Sequence, residues 1–357
     1  NQGIEVRGVE IRDRRTDQVV VSIDELWLAC CCDLTYLLNE KVEVRHLTVR
    51  RPRVRLRGGP ETLQEWARWW RPPHKAADAA SSLTVEEGAV EWLVDPRRPE
   101  SLVTLRGLDL VLRQASDETL RQLGWKSGDA ASTTPSDSPR ATHIRVTAGG
   151  ELLEKLAVDV LWSPAERRWS VRGETEGVRV ARELLGLLPA EWSSFTQVAR
   201  SLDARGALKL VAASPTAPDG EIDFTIDGRL RSGRWNDPRA QWEQVGVLGE
   251  FDVDLTAQYD GVRWRPRGSI SGHDLTMRVA RFPYPLANGR GRVEFQEGRV
   301  VSRDLVFHTH DRPIEMEFEL AVGGEVGTGV VVVRTPQGIP IDDALLDSFE
   351  GAPAKFV

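Results

Sequence analysis

The sequence predicts a mainly all-β protein built as one long antiparallel meander, with a few short amphipathic helices. Three observations predict it. Apolar and charged residues alternate with period 2 along most of the chain, Gly- and Asn-bearing turn signals separate the alternating runs, and helical periodicity is confined to short segments.

In chain order, a strand opens at Ile4-Glu5-Val6-Arg7, and residues 26–32 form the longest apolar run. That run falls far short of the roughly 20 residues a spanning helix needs. Cys30, Cys31 and Cys32 are consecutive, so they offer neither a spaced disulfide framework nor metal-ligand spacing and read as small buried residues. Val42 and Val44 then alternate with Glu43 and Arg45, and Val54 and Leu56 with Arg53, Arg55 and Arg57. Residues 60–70 predict a one-sided helix with Leu63, Trp66, Ala67 and Trp70 on its stripe, stopped by Pro72-Pro73. Its tryptophans read as a plug at the end of the sheet, with a lipid interface at Trp66, Trp69 and Trp70 as the alternative.

Val103 and Leu105, then Leu108, Leu110 and Leu112, predict further strands before a polar loop over 127–141. Leu156-Val158-Val160 continues the sheet to 177. A helical linker over 178–203 follows, broken at Pro189 and showing Trp192, Phe195, Ala199 and Leu202 on one stripe. The alternation resumes over 204–337, at Leu208-Leu210, Ile222-Phe224-Ile226, Phe251-Val253-Leu255, Leu275-Met277-Val279, Val293-Phe295, Leu305-Phe307, Met316-Phe318-Leu320 and Val330-Val332. Residues 338–357 begin a second helical marker, since 338–346 echoes 177–185. Turns at Gly58-Gly59, Asp219-Gly220, Asp260-Gly261, Asn288-Gly289 and Gly323-Gly324 make successive strands hairpin neighbours. The expected organisation is therefore a first sheet segment over 1–126, the loop, sheet strands over 142–177, the linker, and a second sheet segment over 204–337.

Composition excludes several function classes. The 357 residues are 40% hydrophobic and 28% charged with a net charge of −7, and basic residues are interleaved with acidic ones, so nothing attracts a phosphate backbone. Nucleic acid is not an expected partner. No Gly-rich phosphate loop, nucleophile elbow or Cys-x-x-Cys occurs, and the regular carboxylates are what a wet strand face needs without catalysis. No enzyme and no cofactor are expected. His308 and His310 share a face if the strand runs through them, but no third metal ligand accompanies them.

One-sided strands must bury the apolar side. A sandwich or closed barrel is the ordinary solution, and periodicity alone favours it. Roughly 20 meandering strands at about 4.8 Å each span on the order of 90 to 100 Å, however, and a sheet that long coils into a gutter whose apolar floor suits hydrocarbon.

Three groups of residues resemble the AsmA-like family of bacterial envelope proteins. The first runs from Gly3-Ile4-Glu5-Val6-Arg7-Gly8 through Val42-Glu43-Val44-Arg45-His46-Leu47-Thr48-Val49 and Pro52-Arg53-Val54-Arg55-Leu56 to the tryptophan-bearing 63–70, with Leu83 to Trp92 as the next unit. The second is Leu187-Leu188-Pro189-Ala190-Glu191-Trp192 followed by Ala204-Arg205-Gly206-Ala207-Leu208. The third pairs Gly289-Arg290-Gly291-Arg292-Val293-Glu294-Phe295 with the Gly298 to Asp304-Leu305 unit.

The resemblance implies an open, taco-like groove, related in architecture to chorein-type bridge proteins. It implies a periplasmic body anchored to the inner membrane by a segment upstream of Asn1, and non-enzymatic phospholipid transfer or lipid homeostasis. The runner-up is a secreted or periplasmic scaffold of sandwich type with a filled core. The Cys30 to Cys32 run departs from what an oxidising compartment favours. Strand parity selects the groove-lining residues: Val44, Leu56, Leu110, Val158, Leu210, Phe224, Val253, Leu255, Met277, Phe295, Phe307, Met316 and Phe318.

Overall fold

In a computed structural model, the described residues are 3–14, 16–31, 43–58, 82–94, 97, 102–123, 125, 141–163, 168–180, 185, 192, 195–196, 202–214, 222–236, 245–259, 263–279, 282–296, 298–321, 329–343 and 345–346. They form one 17-stranded, predominantly antiparallel sheet. Its strands are β1 (Gly3–Arg12), β2 (Val19–Cys31), β3 (Glu43–Arg50), β4 (Arg53–Arg57), β5 (Ser82–Leu93), β6 (Leu102–Gln114), β7 (Thr142–Gly150), β8 (Lys155–Ser163) and β9 (Arg168–Arg179). The second run is β10 (Leu202–Ala213), β11 (Ile222–Asn236), β12 (Val245–Tyr259), β13 (Trp264–Val279), β14 (Phe282–Gln296), β15 (Arg299–Thr309), β16 (Arg312–Ala321) and β17 (Gly329–Arg334). The one complete helix among the described residues, α1 (Asp117–Gln122), starts at Ser116, whose hydroxyl accepts the Thr119 N–H at 3.2 Å. No helix among the described residues is long and apolar enough to cross a membrane.

The meander has one departure from hairpin order. β2 runs antiparallel to both β3 and β4, but those two run parallel to β5, with Leu47 opposite Leu83 and Leu56 opposite Trp92. Parallel neighbours cannot be joined by a tight turn and need a crossover, which the chain between Arg57 and Ser82 provides. The helix expected over 60–70 falls in that crossover, outside the described residues, as does nearly all of the loop expected over 127–141.

The chain divides into two compact units, Asn1–Glu176 with Leu210–Ile222, and Gly177–Lys209 with Asp223–Val357. In the first unit, left-handed residues fall near one register on β1, at the β3–β4 junction, on β5 and on β6, with β2 passing between the first two without one: Gly8 (φ 67°), Arg51 (φ 49°), Glu87 (φ 55°) and Gly107 (φ 57°). Each interrupts the pleat, and the ladders shift register between Val85 and Gly88 and between Arg106 and Asp109. Kinks of this kind bend a strand and raise its twist. Aligned on the adjacent β3–β4 junction, β5 and β6, and again on β1, they crease this part of the sheet across its strands.

The crease is held by polar contacts on the charged side. Asp109 Oδ1 accepts the Glu87 N–H at 3.0 Å, Arg51 Nε donates to Asp24 at 2.9 Å, and Arg50 binds both Glu86 and Glu25. A residue in the left-handed region leaves its amide out of the ladder, so Asp109 supplies the acceptor that the partner strand does not. Asp109→Ala is expected to cost about 0.5–1.5 kcal/mol, the net worth of one hydrogen bond at an exposed site where water reaches the freed amide. Urea unfolding of the variant against wild type checks this, and an unchanged midpoint would show the crease to be held by other contacts.

In the second unit the apolar face is closed over. Seventeen buried residues form one cluster drawn from β10 to β16 and from the linker, with Phe251, Val253, Leu255 and Ala257 of β12 all buried. Trp192 caps it from the linker side and Leu345 from the C-terminal side. The first unit's buried cluster is small by comparison. Ala115, Ala141 and Leu161 pack with Leu120, Leu123 and Trp125 where α1 covers the charged side of the sheet.

Candidate functional site

The cross-strand registers of the first unit assemble two uninterrupted apolar rows. Ile4 stands opposite Leu28, Leu28 opposite Leu47 and Leu47 opposite Leu83; the row continues through Leu112, Ile144 and Val160 to Val171. One step along the strands, a second row runs through Val6, Leu26, Val49, Val85, Leu110, Val146 and Val158 to Gly173. Each crosses eight strands. Val49 and the row-ending Gly173 are buried; the other row members are half-buried, except Ile4 and Val6, which are exposed at β1.

These rows occupy one side of the pleat because β-branched and leucine side chains alternate there with Arg, Glu and Thr on the other. At about 4.8 Å per strand, eight strands extend the rows for on the order of 34 Å. Beyond the crease the apolar series resumes with Val54, Val90 and Leu105, opposite one another in register. The odd spacing from Val85 to Val90 would throw these onto the charged side in an ideal strand, and the kink at Glu87 reverses the parity.

The opposite side is ionic. Arg7 pairs with Glu5, Arg50 with Glu25 and Glu86, and Arg55 with Glu91. A cavity of about 370 Å³ lies there, lined by Glu5, Arg7, Glu25, Trp27, Thr48 and Arg50. Its guanidinium groups are matched by its own carboxylates. His143, buried on this side, is hydrogen-bonded through Nε2 to Asp159 Oδ1 at 2.7 Å. In the second unit, Asp252 accepts from Arg229 at 2.9 Å and pairs with His273 at 3.0 Å; chiefly the Arg229 hydrogen bond, with that of His273, holds its carboxyl below the usual 3.8 against opposing desolvation.

The residues selected by parity fall into two environments. Leu110 and Val158 lie in the second apolar row, two strands apart with Val146 between them. Leu56 is buried opposite Trp92, and Leu210 is half-buried beside Gly173. Val44 stands opposite Cys30 past a bulge at the end of the β2–β3 ladder, its side chain outside those described. Val253, Leu255, Met277, Phe295 and Phe307 are buried in the second unit's cluster, with Phe224, Met316 and Phe318 packed against it.

Sequence reasoning did not select what seals that cluster. Trp192 is 2% exposed and meets Phe224 edge-on at 5.6 Å and Phe195 at 6.4 Å, while Phe195 meets Phe295 at 5.8 Å. Its one-sided stripe was the available signal, although nothing in the sequence says which strands it covers. His308 and His310 do not act together. β15 ends at Thr309, the chain turns through His310 (φ 46°) and Asp311 (φ 63°), and His310 pairs with Asp342 at 3.4 Å while His308 faces the Asn288 carbonyl. No grouping of three metal-ligating side chains occurs among the described residues.

Comparison with protein-family models, with curated proteins and with solved structures finds no match. The site therefore rests on its geometry.

Proposed function

We propose that this chain is a non-enzymatic lipid-carrying module of the bacterial envelope, of AsmA-like type, in which the apolar rows of the first unit shelter the acyl chains of a phospholipid. The module works in the periplasm between inner and outer membrane, held to the inner membrane by an anchor. The observation that carries this reading is the pair of half-buried apolar rows crossing eight strands, with no charged side chain in either. Such a strip offers contact to an extended hydrocarbon along its length, and each methylene taken from water stabilises by about 0.8 kcal/mol. No directional chemistry is required. The headgroup remains at the ionic margin.

Native mass spectrometry after mild extraction tests it, together with uptake of a fluorescent phospholipid from vesicles. Wild type is expected to carry phospholipid mass. Leu110→Glu places a charge in the middle of the second row, and losing contact with about two methylenes weakens loading about tenfold. A clean lipid-free mass with no fluorescent uptake would defeat the proposal. The filled cluster of the second unit favours a second reading, a binding or structural scaffold with a packed core, and that outcome would support it.

A further inference from the structure

The cavity of about 370 Å³ on the charged side of the first unit has a lining that acyl chains on the opposite side do not use. It lies over β1, β2 and β3, where the registers set Glu5 opposite Trp27, Arg7 opposite Glu25, Trp27 opposite Thr48 and Glu25 opposite Arg50. The half-buried indole of Trp27 leans toward Gly3, where an added Cβ would lie 2.7 Å from Cζ2 and 2.8 Å from Cε2. Gly3 stands opposite Ala29, on the far side of Trp27 from Glu25. The ring is therefore one wall of the cavity, and Arg7, Glu25 and Arg50 form the facing one.

The groups left free in that lining define what it can hold. Arg7 is bound to Glu5 through Nε, which leaves both Nη groups, and Arg50 is bound to Glu86 through Nε and to Glu25 through Nη1, which leaves Nη2. Glu5 and Glu25 each use one carboxylate oxygen in these pairs and keep the other. Neither the Thr48 hydroxyl nor the Trp27 Nε1–H has a partner among the described residues. Donors and acceptors are thus offered together without excess charge. An anion drawn to the Nη groups meets Glu5 and Glu25 in the same cavity, and a cation meets the guanidinium groups. A neutral ligand rich in hydroxyls uses both kinds of group and leaves the pairs intact.

We propose that this cavity binds a pyranose unit of a neutral saccharide, with the sugar ring laid against Trp27. A pyranose carries a face of C–H groups, which suits the flat apolar body of an indole, and a girdle of hydroxyls that each donate and accept. With the sugar on Trp27, the girdle meets Arg7, Glu25, Thr48 and Arg50. The volume lies at the small end of the roughly 300–1,000 Å³ range of ligand pockets, as a single sugar unit requires. Gly3 is a positioning residue, because only the absence of a side chain there lets the indole lean back and leave the cavity open.

Saturation-transfer NMR of the full chain with methyl β-glucoside up to about 50 mM tests this, because a ligand of about a dozen heavy atoms binds in the millimolar range. Wild type is expected to show saturable transfer to the ring C–H protons. Sorbitol, an open-chain polyol without a rigid C–H face, is expected to show none. Thr48→Val keeps the size of the side chain, removes the hydroxyl and should weaken binding about fivefold. Gly3→Val alters no lining group but drives the indole into the cavity, and should weaken binding at least tenfold, about the worth of one well-made contact. Circular dichroism confirms that each variant is folded, and Thr48→Val carries the test if Gly3→Val is not. Three results would each overturn the proposal: no saturable transfer to the glucoside, sorbitol binding as well as the glucoside, or binding indifferent to the folded variants. Saturable binding of phosphoethanolamine in place of the glucoside would also overturn it, by showing that the cavity takes a zwitterion.

Discussion

Trp192→Ala is expected to destabilise the second unit by about 3–5 kcal/mol, the range for removing a buried aromatic side chain. The size follows from where the indole sits. It is 2% exposed, and it anchors an aromatic chain in which Phe224 and Phe195 meet it edge-on, Phe195 meets Phe295, and Phe224 meets Trp264 at 6.0 Å. Edge-on ring pairs add about 0.5–1.5 kcal/mol beyond the area they bury. One feature works against the indole: its Nε1 is buried with no acceptor among the described residues. A stranded donor costs about 1–3 kcal/mol, so Trp192→Phe, which keeps a ring against Phe224 and deletes the donor, should lose much less than Trp192→Ala. Equilibrium denaturation gives the size, and amide exchange gives the place. Protection should fall in β12 and β14 and hold in β6 to β8. If Trp192→Ala costs under about 1 kcal/mol, the tryptophan is an ornament on a core sealed by other residues.

The sequence carried the strands and their faces because period 2 is a local property: Glu315, Glu317 and Glu319 must oppose Met316, Phe318 and Leu320 in any β structure. It did not carry what lies over a face. Val158 and Val253 look alike as members of alternating runs, yet one lies in a half-buried row and the other under a sealed cluster. The difference is made by Trp192 and Phe195, remote in sequence from the strands they cover. The crease was half legible. The jump from Val103 and Leu105 to Leu108, Leu110 and Leu112 records the parity change at Gly107, and Asp-Leu pairs recur at three register shifts, at Asp109-Leu110, Asp274-Leu275 and Asp304-Leu305. What that jump could not supply is that the kinks align across neighbouring strands, which depends on register. The parallel step at β5 was hidden for the same reason, since Leu83 to Trp92 alternates identically whichever way its neighbour runs.

Close packing in the second unit makes a second strong expectation, in which two destabilising changes offset each other. Phe307 is 1% exposed and lies over Gly289, where an added Cβ would come within 2.4 Å of two ring carbons and 2.9 Å of Leu275 Cβ. The ring is hemmed in by the cluster, so Gly289→Val must displace it or part β14 from β15. Overpacking of this kind costs about 1–3 kcal/mol and sometimes more. Phe307→Ala fails in the opposite way, leaving a cavity that costs about 3–5 kcal/mol. With both changes present, the valine side chain occupies part of the space the ring vacated. The double variant should therefore be more stable than the sum of the single losses allows, by at least about 1 kcal/mol, the coupling expected of residues in contact. Urea denaturation of the four proteins measures that coupling directly. Strict additivity would mean that the ring and the glycine do not share one site, and with it would go the picture of a sheet whose apolar side is closed by aromatic rings seated on glycines.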